Sequence, residues 1–197
     1  LGMVTDGLGH QTVWSYAPLA GKAGRSVGQT PLYAVPMVAA QRYIDERHLY
    51  FTSSMNVVAQ MSQSDGIGGF RTWRYGYGEA IYNTQGRGFQ GFRTVIEEDE
   101  TAGLRTTTTF HQKFPLTSRI EKVETGKPRG ERDISPHTRE TYDWRCNVSN
   151  RGVCDTLNGT APANFPYALT QTTTTFDATA AEADSEVPVA EIVVRNY

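Results

Sequence analysis

An all-β protein is expected from three features of this sequence. A turn-forming Asp-Gly followed by alternating Thr, Trp and Tyr occurs twice. Glycines and aromatic residues are interleaved over 66–92. Stretches that suit a helix are almost absent. The first copy of the repeated segment is Asp6-Gly7-Leu8-Gly9-His10-Gln11-Thr12-Val13-Trp14-Ser15-Tyr16. The second is Asp65-Gly66-Ile67-Gly68-Gly69-Phe70-Arg71-Thr72-Trp73-Arg74-Tyr75. Asp-Gly tolerates the positive φ angles of a tight hairpin turn, and Thr, Trp and Tyr suit a pleated, half-buried surface. Each copy therefore reads as the tip and return strand of a β-hairpin. A degraded third copy runs from Glu100 through Gly103 and Thr106 to Phe110, with Glu100 in the place of the turn Asp. A fourth, partial copy is Gln171-Thr172-Thr173-Thr174-Thr175-Phe176, which echoes Arg105 to Phe110. Such repetition points to a repeat scaffold.

The elements follow in order. Residues 1–18 read as a hairpin arm, and 19–36 as loop, punctuated by Gly and Pro. Tyr43-Ile44-Asp45 and His48 to Thr52 read as strands. Met55 to Met61 reads as the outgoing strand of the Asp65-Gly66 hairpin. Over 66–92, glycines with aromatics between them suggest closely approaching backbones with rings packed over them. Phe92 to Glu97 alternates as a strand, 99–103 turns, and 104–112 returns. Further strands are expected at 118–125 and 137–145, with a turn at 126–130. Residues 146–167 read as loop, and 168–177 and 187–195 as the last strands. Ala178 to Glu186 is the one short helix expected.

The chain thus reads as a single β-rich unit over 1–197. Its clearest repeat core is 55–125, its loop-rich insert 126–167, and its final strands 168–197. Beginning at Leu1, with a repeat under way by Asp6, it reads as a piece of a longer protein whose strand edges its parent covers.

Composition bounds the function. Nineteen Lys and Arg stand against 21 Asp and Glu, a formal net charge of −2. That argues against a broad nucleic-acid footprint. No apolar run approaches the roughly 20 residues needed to span a bilayer as a helix. Cys146 and Cys154 leave open a local disulfide, free thiols, or half of a metal site that no nearby residue completes. His10, His48, His111 and His137 are scattered. Gly66-x-Gly68 leads into a strand, whereas dinucleotide binding needs a helix there. No Gly-x-Ser-x-Gly elbow or His-Glu-x-x-His occurs. No catalytic residue, cofactor or metal is therefore assigned, and no enzyme activity is expected. The residues singled out are structural: Asp6, Gly7, Gly9, Asp65, Gly66, Gly68 and Gly103 for turns, and Trp14, Tyr16, Trp73, Tyr75, Phe89, Phe92 and Phe110 for packing between strands.

One ordered series of motifs runs through roughly 55–125. It comprises Ser64-Asp65-Gly66-Ile67-Gly68-Gly69, Arg74-Tyr75, Arg87-Gly88-Phe89-Gln90-Gly91-Phe92, Phe110-His111-Gln112 and Phe114-Pro115-Leu116-Thr117. In this it resembles Rhs/YD-repeat proteins, and especially the middle region of bacterial toxin-complex (Tc) B subunits and SpvB-like virulence proteins. The series departs from the family at Ser118, where Gly is expected, and at Phe110, where Tyr is usual. Residues 126–167 have no clear counterpart. The resemblance implies a secreted bacterial protein whose hairpins spiral into a hollow shell around a C-terminal toxic domain. The partners it implies are the rest of the parent polypeptide, that enclosed domain and other toxin-complex subunits. A second reading is a carbohydrate- or cell-surface-binding β module, with glycans stacked on rings such as Trp14, Trp73 and Tyr77. A remote third is ADP-ribosyltransfer, through Arg47, Thr52-Ser53-Ser54 and Glu98-Asp99-Glu100, although the acidic cluster is explained equally well as a solvated turn.

Overall fold

The computed structural model describes residues 2–20, 32–35, 44–147, 152–154, 166–177 and 188–195. Among them there are strands and no helix. The large sheet is a meander whose path follows chain order. It runs β1 (Met3–Thr5), β2 (Gln11–Pro18), β5 (Asn56–Ser64), β6 (Phe70–Gly78), β9 (Thr94–Asp99), β10 (Leu104–Phe110), β11 (Ile120–Arg129), β12 (Asp133–Asn147), β14 (Tyr167–Phe176) and β15 (Pro188–Arg195). Every neighbouring pair on this path is antiparallel. β3 (Tyr33–Ala34) lies parallel to the end of β6, and β13 (Gly152–Val153) folds back on β12. A smaller sheet holds β4 (His48–Tyr50), β7 (Ile81–Asn83) and β8 (Gly88–Phe89).

The two clearest sequence copies form equivalent hairpin tips. Asp6 Oδ1 accepts the amides of Leu8 and His10 at 2.8 and 2.9 Å. Asp65 Oδ1 accepts those of Ile67 and Gly69, both at 2.9 Å. The amide of each Asp in turn donates to the carbonyl four residues on. The tips touch sideways, where the Gln11 amide donates to Ser64 Oγ at 3.2 Å. Gly9, Gly66, Gly68 and Gly103 all take positive φ. Gly7 does not, so backbone conformation demands glycine at the second of the two glycines of the first tip.

The third copy is displaced by one residue from the expectation. Asp99, rather than Glu100, makes the turn: its Oδ1 accepts the amides of Thr101 and Ala102, and its carbonyl accepts that of Gly103 at 2.8 Å. The fourth likeness does not continue the hairpin repeat. β14 runs antiparallel to β10, because three consecutive antiparallel pairings separate them.

Register sorts the side chains by face, since directly paired residues share one. One face carries the row Trp14, Met61, Trp73, Asp99 and Leu104. Farther along β5 and β6, towards the opposite end from the tips, this face meets the apolar core. Leu19, Leu32 and Val57 are buried there, with Phe51, Met55, Tyr77 and Phe92 packed against them. The rings of Tyr77 and Phe92 lie 4.7 Å apart, and those of Phe51 and Phe89 4.9 Å. On β10 to β14 the same face carries threonines, in the row Thr106, Thr125, Thr138 and Thr175. The opposite face is charged. One of its rows reads Arg74, Glu98, Arg105, Gly126 and Pro136, and the next runs Gly76, Ile96, Thr107, Glu124 and Arg139.

Several expectations need correcting. Ile44 and Asp45 are bends leading into β4, because Asp45 Oδ1 captures the amides of Arg47 and His48; Tyr43 lies outside the described residues. Residues 126–129 are strand, not turn, and the chain reverses at 130–132. The segment 126–167, read as loop-rich, holds the end of β11 and all of β12, a 15-residue strand. Of the packing residues, Tyr16 is 52% exposed and Phe89 41%, so each covers its neighbours on one side only. Trp14, Trp73, Tyr75, Phe92 and Phe110 are half-buried, because the large sheet offers one face to the core. The helix expected at 178–186 lies outside the described residues.

Candidate functional site

The charged face is the more built of the two. Arg105 is its centre: 1% exposed, it is the largest fully buried side chain together with Ile96. Its Nε donates to Glu98 Oε1 at 2.9 Å, across the β9–β10 pair. Its Nη1 donates to the carbonyls of Asp133 at 2.7 Å and Gly130 at 3.3 Å. Those carbonyls belong to the far end of the β11–β12 hairpin, which therefore folds back over the sheet. Arg132 extends this further, its Nη2 donating to the Tyr77 carbonyl at 3.0 Å. Tyr77 lies on β6, three strand spacings from β11, or roughly 14 Å.

Two glycines make the fold-back sterically feasible. Pairing between β11 and β12 slips at Thr125/Gly126. A Cβ on Gly126 would stand 1.9 Å from the Ser135 carbonyl oxygen. A Cβ on Gly78 would stand 2.3 Å from Thr94 Oγ1 and 2.9 Å from Arg132 Nη2. The bend needs the first, and the docking of Arg132 needs the second. Beneath the folded hairpin lies a cleft of about 720 Å³, walled by Thr94, Thr107, Glu124 and Arg139 from the sheet and by Arg132 and Ile134 from the hairpin. Burial alone would raise the Glu124 pKa; Lys122 and Arg139, both at 2.6 Å, outweigh it and hold the carboxyl below its ordinary range.

At the far end of the molecule, the turn 111–119 carries Phe114-Pro115-Leu116-Thr117. The His111 amide donates to the Arg119 carbonyl at 2.8 Å, and that of Ser118 to the His111 carbonyl at 2.9 Å. Ser118 takes φ of 63°, the left-handed conformation that suits the glycine expected there. Cys146 and Cys154 form a disulfide, buried against Leu116 and Trp144. His48 is buried between Asp45, 2.8 Å from its Nδ1, and Asn83, 3.2 Å from its Nε2. Lys113 pairs with the same Asp45 at 2.8 Å.

The residues considered for ADP-ribosyltransfer are not gathered. Arg47 follows the Asp45 bend, and its carbonyl is held by the Thr84 amide beside the small sheet. Glu98, Asp99 and Glu100 stand at the hairpin-tip end, paired with Arg105, Arg71 and Arg74 respectively. The charged row under the folded hairpin was missed by sequence reasoning. No local pattern marks Glu98, Arg105 and Arg139 as neighbours; strand register alone brings them onto one face.

The outer surfaces are the sheet edges and tips. β15 is exposed throughout, with Val189 and Ile192 each 64% exposed, and β1 exposes Met3 at 53% and Val4 at 44%. Leu8 and Ile67 crown the adjacent tips, 87% and 91% exposed.

The described strands thus form an antiparallel meander, apolar on part of one face and charged on the other, with β-branched side chains exposed along its edges. The chain belongs to the family described as the insecticide toxin TcdB middle/N-terminal region, whose model matches residues 1–118. It is thus related to a toxin-complex component. The matched portion ends within the turn before β11. No curated protein matches the chain.

Proposed function

We propose that this chain is a wall segment of a secreted bacterial toxin-complex protein, and that the wall helps to enclose a C-terminal toxic domain. The observation that carries this reading is the meander itself. Its antiparallel path ends in two exposed edge strands, and edges of this kind pair readily with further strands. Family membership supports the toxin context. On this reading the polypeptide's role is structural, its neighbours are the rest of the parent protein and other toxin-complex subunits, and no catalysis is required of it.

The test is deletion of residues 1–197 from the parent protein. Loss of latency and of protease protection in the C-terminal segment supports the wall. Unchanged protection makes the segment peripheral.

A second reading, glycan binding, draws on the row Trp14, Met61 and Trp73, which places two indoles on one face two strands apart. It predicts binding to a glycan array that Trp14→Ala abolishes with folding unchanged. Tyr77 is the poorer probe, because its hydroxyl donates to the Val58 carbonyl at 2.9 Å and its ring packs at a tilt against Phe92.

A further inference from the structure

We propose that residues 127–136 form a hinged strap, which swings off the charged face as a unit and uncovers the cleft beneath while the sheet stays folded.

Three observations converge on this. The first is a hinge: strand pairing slips at Thr125/Gly126, where only glycine clears the Ser135 carbonyl, and pairing resumes beyond it from Gly126↔Pro136 to Arg129↔Asp133. The distal hairpin thus keeps its own ladder when it moves. The second is the latch. The contacts that hold the strap down include hydrogen bonds from Arg105 to the Gly130 and Asp133 carbonyls and from Arg132 to the Tyr77 carbonyl. These are polar bonds whose partners water can satisfy on opening, so what is lost is the net difference between protein and water contacts and not the full strength of each bond. The third is what lies beneath. The cleft is lined mainly by threonines and charged groups, and among the described residues Thr107 Oγ1 is buried there without a hydrogen-bond partner. The apolar part of its lining is confined to Ile96 below and Ile134 and Pro136 on the strap, so the apolar burial given up when the strap lifts is limited to these side chains. Elements with few apolar contacts belong to the low-energy end of local opening. Opening would also hydrate the orphaned Thr107 hydroxyl. The strap itself is exposed from Lys127 to Glu131. It lies beyond the family-matched residues and closes over strands that fall within them.

The test is thiol accessibility in the intact protein under native conditions, where Cys146 and Cys154 are held in their disulfide. Thr107→Cys places a thiol under the strap, and Val57→Cys places one in the apolar core as a reporter of global unfolding. A maleimide is expected to label position 107 at least tenfold faster than position 57. Adding Arg132→Gln is expected to speed labelling at 107 a further severalfold and leave 57 unchanged. Labelling of both positions at one rate in the unaltered strap would overturn the proposal, because the cleft would then open only with the whole fold. Failure of position 107 to label at all would overturn it equally. A rise at 57 that matches the rise at 107 in the Arg132→Gln background would show Arg132 to be a global stabiliser and not a latch.

Discussion

The guanidinium of Arg132 donates to the backbone carbonyl of Tyr77 at 3.0 Å, joining residues 55 positions apart in the chain. This bond ties the β11–β12 hairpin, which lies outside the matched family region, to a strand inside it. It depends on the absence of a side chain at Gly78 and on the bend at Gly126.

Glycines in this chain should therefore differ sharply in their tolerance of alanine. Gly126→Ala drives a Cβ into backbone and is expected to cost about 3 kcal/mol, the upper range of overpacking. Gly103→Ala meets open space but keeps φ at 65°, for a cost of about 1–2 kcal/mol. Gly7→Ala has neither problem and should fall within about 0.5 kcal/mol of the parent. Urea unfolding of the three variants checks the order.

Ser118 offers the reverse experiment. It is exposed and holds a left-handed conformation. Ser118→Gly should relieve that strain and raise stability by about 0.5–1 kcal/mol, after the greater freedom of glycine in the unfolded chain is deducted. An unchanged or lower urea midpoint would show that the Ser118 side chain supplies a compensating contact.

Arg105 and Glu98 should behave as a coupled pair. Arg105→Ala strands a carboxylate that is only 15% exposed and is expected to cost about 3–5 kcal/mol. Combining it with Glu98→Ala should cost clearly less than the two single changes added together, which a double-mutant cycle measures.

Trp73→Ala should cost about 2 kcal/mol, less than the roughly 3–5 kcal/mol of a fully buried ring, because the indole is only half covered and carries the Arg71 guanidinium at 4.9 Å on its face. A loss under about 0.5 kcal/mol, measured by thermal or urea unfolding, would remove Trp73 from the packing of the sheet.

Acid should destabilise the fold in two stages. Burial pushes His111 below its ordinary value of 6.5, helped by Arg93 and opposed by Glu121. Glu124 sits below 4.5, and Asp99, bonded by Arg71, sits below 3.8. Each folded-state pKa is lower than its unfolded counterpart, so between the two values the unfolded chain binds more protons and stability rises with pH. On acidification the urea midpoint is expected to decline first below about pH 6.5, through His111. A second decline should begin as the pH approaches 4.5 and continue down through the carboxylates' lowered values. His111→Gln should abolish the first decline and keep the second.

Much of the architecture was legible in advance because hairpin chemistry is local. Asp65 and Gly66 can be read as a tip from two adjacent residues, and Thr-x-Trp-x-Tyr as a strand from its alternation. Ser118 could be flagged against the family pattern before its φ was known. Legibility failed where the answer depended on distant partners. Glu100 looked like the turn acid, but Asp99 takes that place because Arg71 and the amides of Thr101 and Ala102 all converge on it. The turn expected at 126–130 is strand because β12 bulges at His137, opposite Gly126, and pairing with β11 continues beyond it.

Local conformational preference, carried by Asp-Gly tips, β-branched and aromatic alternation and the scarcity of stretches that suit a helix, was enough to specify all-β hairpins, and the ordered motif series over 55–125 was enough to point to the family. Register and curvature were not encoded locally. Which face each side chain occupies, which acid meets which arginine, and whether residues 127–136 extend outward or fold back all follow from pairings across the sheet. There the energy of a contact depends on residues far away in the chain, and a strand's own sequence reads the same on either face.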